Sequence, residues 1–451
     1  MLEITYIGQL GLILICIAYV RSMSLLLKLT VFFIPFSATA AINFGEPGKG
    51  SSVQLYMLFG LAWMFYQLLQ YVREIQKNNR IVVSKTTGIL LFFIFATFLS
   101  LLMPLYINGA DSANATGRYG DYEQITFKSK NITQYLYLLI GAFLSIYIGH
   151  TLKEKETINI IKTYTYSVIF VMLWGLYELL SFYYDLDYLA SIFNNNIHES
   201  AEGYTQVLKT GNQSVKRIAS VTLEPSILAQ VLLVLLPFYI YSCLNKLYII
   251  GKIQDYTILF LLLVYIPLTT SSTAVLGLLF LMVILFYRRF RKNPFFLYYG
   301  FGLISLLLGL AYVLSNNIFY SLIIKQKAES SSGLERISTI IDGWNIFIKY
   351  PLLGVGWGSV SSYDLIIRLA ASCGIIGLSI FSYFIYYVLM KLNFKSHIKG
   401  THSFASSASL SLSVILFCNV ISGFSFYLGH LWFILGLSLA IVKHKHIQLY
   451  P

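Results

Sequence analysis

Two arginines and a few carboxylates are the residues of this 451-residue chain best placed to act on a charged substrate. Arg217 stands in the run Lys216-Arg-Ile-Ala-Ser-Val-Thr-Leu-Glu224-Pro-Ser226, and Arg336 follows Ser332-Gly-Leu-Glu335. A guanidinium keeps its charge at physiological pH and offers a planar fork of donors matched to phosphate oxygens. Two together can hold a pyrophosphate and neutralise the charge that develops as it leaves. A hydroxyl nucleophile also needs a base, for which Glu224, Asp342 and Asp364 are candidates, with His430 further along the chain. Lys216, Lys325, Lys327 and Arg368 add to the positive field, and Tyr363 offers a ring that can stack on a sugar. Each of these residues also has a plainer reading. An arginine at a membrane edge snorkels or pairs with a neighbouring loop, a glutamate before a proline caps a helix, and Asp342 is a solvated carboxylate.

The elements that must position these groups are set by composition. The chain is 57% hydrophobic and only 11% charged, against roughly 25% charged in soluble domains. Apolar stretches near the ~20 residues needed to cross a bilayer recur from end to end. They predict an all-α, polytopic transmembrane bundle of about 12–14 spans in a single membrane domain over 1–451, which excludes the usual soluble-enzyme scaffolds. The segments at 256–270 and 273–287 read either as two spans or as one re-entrant pair.

The net charge of +13 has a direction. Alternate short connections hold 20 of the 32 basic residues and four of the 19 acidic ones, the asymmetry that marks the cytoplasmic side. Basicity therefore reports orientation rather than a nucleic-acid partner. The long connections, at 108–133, 183–222 and 315–364, fall on the outward side together with both arginines, which puts the expected work at the outer membrane–water boundary. The four cysteines lie in or at the ends of apolar segments, and the seven histidines form no ligand pair at helical spacing, so neither a metal nor another cofactor is expected.

The last outward loop, expected to be the main catalytic one, reads as structured. Ser332-x-x-Glu335 fits a capping box, and Leu334, Ile337, Ile340, Ile341, Trp344 and Ile348 follow helical spacing up to Pro351. Gly354-Val-Gly356-Trp-Gly358 comes next, read as a tight turn rather than a phosphate loop. Glu178 lies within an apolar span, where a carboxylate must face protein or a cavity. It is either an internal hydrogen-bond partner or a substrate contact.

Taken together, the Arg217–Ala229 run, Leu268-Thr-Thr-Ser-Ser-Thr273, Arg336, Tyr350-Pro-Leu-Leu-Gly-Val-Gly356-Trp-Gly358 and Gly374-Ile-Ile-Gly377 resemble the bacterial O-antigen polymerase and O-antigen ligase superfamily. The resemblance covers roughly residues 210–380 by motif. It implies a GT-C-type, metal-independent glycosyltransferase of the inner membrane, acting at the periplasmic face on undecaprenyl-pyrophosphate-linked sugars. Arg217 and Arg336 would bind pyrophosphate and Glu224 would serve as base; a flippase and a chain-length regulator are the implied partners. Ligases usually carry a His-Asn pair where this chain has Tyr363-Asp364, which favours a polymerase, whose acceptor is another lipid-linked repeat. An O-antigen ligase is the alternative within the superfamily, and a lipid-linked oligosaccharide flippase or transporter is the alternative outside it.

Overall fold

The structure, a computed structural model, describes residues 2–47, 50–78, 83–114, 120–198, 201–210, 213–290, 331–398, 401–423 and 426–444. The expected span at 295–314, and Lys325 and Lys327, lie outside the described residues. Within them the chain is an all-α polytopic bundle, and seven helices are long and apolar enough to cross a membrane. In chain order the helices are α1 (Tyr6–Arg21), α2 (Met23–Phe33), α3 (Leu55–Asn78), α4 (Lys85–Leu101), the short α5 (Met103–Ile107), α6 (Ser129–Thr151), α7 (Glu154–Tyr184), the short α8 (Ala190–Phe193), α9 (Pro225–Asn245), α10 (Lys252–Leu268), α11 (Ser272–Phe290), α12 (Ser331–Lys349), α13 (Leu365–Lys395), α14 (His402–Ser422) and α15 (Gly429–Lys443). The segment at 256–287 forms two helices, α10 and α11, joined by a turn in which Thr270 adopts a left-handed φ of 49°.

Helices α9 and α14 form the centre, with most of their residues buried. Their contact is made possible by a serine-rich face on α14, a device that lets membrane helices approach closely. Ser407 and Ser411 donate to the carbonyls of Pro237 and Val234. The hydroxyls satisfy backbone groups that lipid could not, including some near Pro237, which lacks an amide hydrogen.

The connections carry short antiparallel strands that the hydrophobic pattern does not signal: β1 (Leu2–Ile4), β2 (Ala40–Phe44) and β3 (Ser51–Gln54) in one sheet, β4 (Ser112–Asn114) with β5 (Tyr122–Gln124), and β6 (Val207–Thr210) with β7 (Gln213–Lys216). The last of these leads straight into Arg217.

Helix α13 is broken. Cys373 and Gly374 leave helical geometry, with Gly374 at φ 63°, and the glycine string inserts at the break. Ile375 N donates to Pro351 O at 2.8 Å, while Val355 N and Gly356 N donate to Ala371 O and Ser372 O at 2.9 and 3.1 Å. A Cβ on Gly374 would lie 2.1 Å from Leu352 O. The string is thus a tight turn whose backbone replaces the helical hydrogen bonds lost at the break, which is how irregular backbone survives inside a membrane protein.

Candidate functional site

Arg217 leaves β7 and is pinned from one side by Gln206. Its amide donates to Gln206 O at 3.1 Å, and Nη1 donates to Gln206 Oε1 at 3.0 Å. The guanidinium is half-buried and its Nε, shielded from solvent, has no hydrogen-bond partner. Burial pushes its pKa down from the usual arginine value; the nearby Glu224 carboxylate opposes that shift, and the Arg336 charge adds to it. Arg217 and Glu224 therefore share one electrostatic environment with Arg336, more than a hundred residues further along the chain.

Glu224 occupies the N-cap position of α9, with Pro225 in the first turn, yet its carboxylate makes no capping hydrogen bond to the helix. It accepts from the Ser226 hydroxyl at 3.0 Å instead. A proline at the first helical position removes one of the amides a cap would satisfy, and the carboxylate remains at the half-buried rim beside Arg217.

Arg336 lies on the inward face of α12 together with the fully buried Thr339 and with Gly343, which packs on Ile367 of α13. Its Nη1 donates to Ile421 O at 3.2 Å, its guanidinium lies over the Tyr363 ring at 5.4 Å, and its buried Nε has no partner. Of the apolar positions that defined the helix in sequence, Leu334, Ile337, Ile341, Trp344 and Ile348 are 49–61% exposed, and Ile340 is half-buried. The stripe faces outward and the arginine inward, the reverse of a snorkelling cation. Among the described residues, no carboxylate lies within 4.0 Å of either Arg217 or Arg336.

The other candidates are placed differently. Lys216 is buried and forms an ion pair with Glu178 of α7 at 2.7 Å, and it also donates to Tyr204 O. Its ammonium is satisfied internally and adds nothing to the anion site directly. Asp342 accepts from the Tyr122 hydroxyl of β5 at 2.8 Å; six residues beyond Arg336, it falls on another face of α12 and ties that helix to the β4–β5 hairpin. Asp364 is the N-cap of α13, accepting from Ile367 N at 2.8 Å, one residue after the Tyr363 ring that supports Arg336. Arg368, one turn into α13, has its charge beside that of Lys130 on α6.

His430 is 1% exposed. Its Nε2 meets Gln230 Oε1 at 2.9 Å, and Gln230 Nε2 donates to Ser422 Oγ at 3.0 Å, so the histidine nitrogen in this chain is the donor. Residues His430, Gln230 and Ser422 fasten the last turn of α14, whose Ile421 carbonyl receives Arg336. In this geometry His430 is buried and its Nε2 is engaged with Gln230.

Sequence reasoning missed Gln206, Gln230 and Ser422. For Gln230 the signal was present: a polar amide in an otherwise apolar helix, less than two turns beyond Glu224. Gln206 carried no comparable signal because its role depends on the β6–β7 hairpin.

The arrangement sets two half-buried guanidiniums and a carboxylate in one electrostatic environment, suited to binding a di-anionic group and accepting a proton next to it. Among the described residues no cluster of His, Cys, Asp and Glu could hold a metal ion. Residues 257–412 match the family model described as O-antigen ligase, consistent with the O-antigen polymerase and ligase superfamily. The matched stretch contains Arg336, Tyr363, Asp364 and Arg368, while Arg217, Glu224 and His430 fall outside it. No curated protein sequence matches the chain.

Proposed function

We propose that this multi-pass membrane protein is a polysaccharide polymerase, within the polymerase- or ligase-type chemistry that the family match supports. The growing glycan leaves undecaprenyl pyrophosphate and joins an incoming lipid-linked repeat unit at the periplasmic face of the inner membrane. The observation that carries this reading is the pairing of two guanidiniums, Arg217 and Arg336. Each is half-buried with an unpartnered Nε, and neither has a carboxylate partner among the described residues.

Chemically, an acceptor hydroxyl attacks the anomeric carbon of the donor sugar, the bond from that carbon to pyrophosphate breaks, and the hydroxyl proton passes to Glu224. The departing pyrophosphate gains charge at the oxygen released. Arg217 and Arg336 stabilise that charge with donors already in place, which costs little reorganisation at the moment of reaction. The exposed apolar stripe of α12 suits a helix at the lipid–water boundary, where a pyrophosphate carried on a polyprenyl chain would reach Arg336. Lys216 and His430 act behind the site as supports.

Between polymerase and ligase, Tyr363 and Asp364 favour the polymerase. Where ligases usually carry His-Asn, this chain stacks a ring on Arg336 and caps a helix, so no imidazole is offered to a core-lipid acceptor. A transporter would need a titratable group open to its pathway. The intramembrane candidate, Glu178, is 1% exposed and saturated by internal donors.

The test is complementation of a strain lacking this chain with Arg336→Ala. A polymerase predicts that the lipopolysaccharide ladder collapses to core bearing a single repeat. Full-length glycan accumulating on undecaprenyl pyrophosphate would instead identify a ligase, and an unchanged ladder at normal protein levels would remove Arg336 from the mechanism.

A further inference from the structure

The Glu178–Lys216 pair is not used by the chemistry above, yet few groups in the described residues are as deeply buried and as fully bonded. Three successive positions on one face of α7 grip the segment that carries Arg217. Val171 O accepts from Ser220 Oγ at 2.7 Å. At Gly175 a Cβ would lie 2.7 Å from Ile218 Cγ2 and 2.1 Å from the Tyr265 hydroxyl, so only a glycine lets the segment lie against the helix. Glu178 Oε2 accepts from Ser220 N at 2.6 Å and Ala219 N at 3.2 Å, and Oε1 pairs with Lys216 Nζ. Ser220 takes a left-handed φ of 55°, a strained conformation for a non-glycine residue that persists only when its surroundings impose it.

Arg217 sits between the residues so held: Lys216 is locked on one side, and Ala219 and Ser220 on the other. Its own backbone is tied to Gln206. The next few residues lead to Glu224, through Thr222 Oγ1, which donates to Ala219 O at 2.7 Å and Glu224 O at 2.9 Å. A single carboxylate thus closes the turn that aims both the arginine and the candidate base.

We infer that the Val171–Gly175–Glu178 face of α7 is a seat that fixes Arg217, and that Glu178 is a positioning residue for the anion site. The inference rests on the pyrophosphate-binding role given to Arg217. Glu178 touches no substrate; it acts by setting where the guanidinium lies, and small displacements of a binding group are costly.

The test uses full-length protein in lipid nanodiscs, with farnesyl diphosphate as the probe, in a double-mutant cycle. Glu178→Gln removes the charge that balances Lys216. Glu178→Asp keeps that charge but draws it back from Ser220 N, and serves if the glutamine variant does not fold. Either change is expected to weaken farnesyl diphosphate binding on the order of tenfold and to speed hydrogen exchange at the Ala219 and Ser220 amides. In an Arg217→Ala background the same change should weaken binding no further. Equal losses with and without Arg217, or unchanged exchange at those two amides, overturn the seat. If Arg217→Ala alone leaves binding unaltered, the pyrophosphate reading fails, and so does the positioning role that depends on it; the exchange rates then still report whether the seat itself holds the turn.

Discussion

Arg336→Lys keeps the positive charge and removes the fork, so it isolates what the guanidinium geometry contributes. In the structure Arg336 meets the Ile421 carbonyl at 3.2 Å and lies over the Tyr363 ring at 5.4 Å, while its remaining donors stay available. A lysine ammonium is a single compact centre that cannot fill all three roles at once. Losing the stack costs about 0.5–2 kcal/mol, and losing one charge-assisted hydrogen bond to a phosphate oxygen costs about 1.5–3 kcal/mol. The two overlap, so a net loss of about 2–3 kcal/mol in transition-state binding is reasonable, or about 30- to 150-fold in kcat/KM. Arg336→Ala, which also removes the charge, should lose about 100- to 1,000-fold, the range seen when a donor to a developing anion is deleted. The assay is chain elongation on lipid-linked repeats in proteoliposomes, normalised to folded protein by thermal unfolding. Elongation by the lysine variant within threefold of the unaltered protein would refute the argument, because charge alone would then suffice.

Other outcomes follow from the same geometry. Glu224→Gln retains an acceptor for Ser226 but cannot take a proton, so kcat should fall at least about 100-fold with pyrophosphate-lipid binding preserved; a kcat within a few-fold of normal would place the base elsewhere. Gly374→Ala forces a Cβ to within 2.1 Å of Leu352 O at a φ of 63°, and should destabilise the protein by about 2–4 kcal/mol, read as a lowered Tm; an unchanged Tm would mean that the α13 break is adaptable. Asp111 receives hydrogen bonds from Lys349 and Tyr350, which hold its carboxyl below the usual carboxylate range. Because the folded pKa is the lower one, this tie between α12 and the β4 region is complete above about pH 4 and is lost as the pH falls below that. Hydrogen exchange near Lys349 should therefore rise on acidification, and Asp111→Asn should abolish that dependence; pH-independent exchange in the unaltered protein would contradict it.

Much of this architecture is visible in the sequence because it is periodic or local. The spans follow from the length of apolar runs, α12 from the spacing of Leu334, Ile337, Ile341, Trp344 and Ile348, and the start of α9 from Pro225. The direction in which α12 presents its stripe is not local. The same spacing serves a helix that buries its apolar face and one that exposes it, as this one does. The grouping of Arg217, Glu224 and Arg336 depends on contacts between distant segments, and only motif order hinted at it. Charge likewise misleads where the partner is unknown. Lys216, adjacent to Arg217, looks like a second phosphate ligand until Glu178 is seen to claim it, and Asp342, close to Arg336 in sequence, falls on another face of α12, tied to Tyr122. Gly374 permits the break in α13, but nothing in one chain segment shows that Pro351 and Leu352 supply the missing acceptors.

A polymerase by itself lengthens a lipid-linked glycan. Purified protein reconstituted in liposomes, supplied only with undecaprenyl-pyrophosphate-linked repeat units, tests it most directly when the products are sized by gel. The expected products are glycans of two or more repeats, still on the lipid pyrophosphate, with free undecaprenyl pyrophosphate released in step, and both formed at least about 100-fold more slowly by Arg336→Ala. Repeats that cross the bilayer without growing, or that grow only on an added core-lipid acceptor, would contradict the polymerase reading.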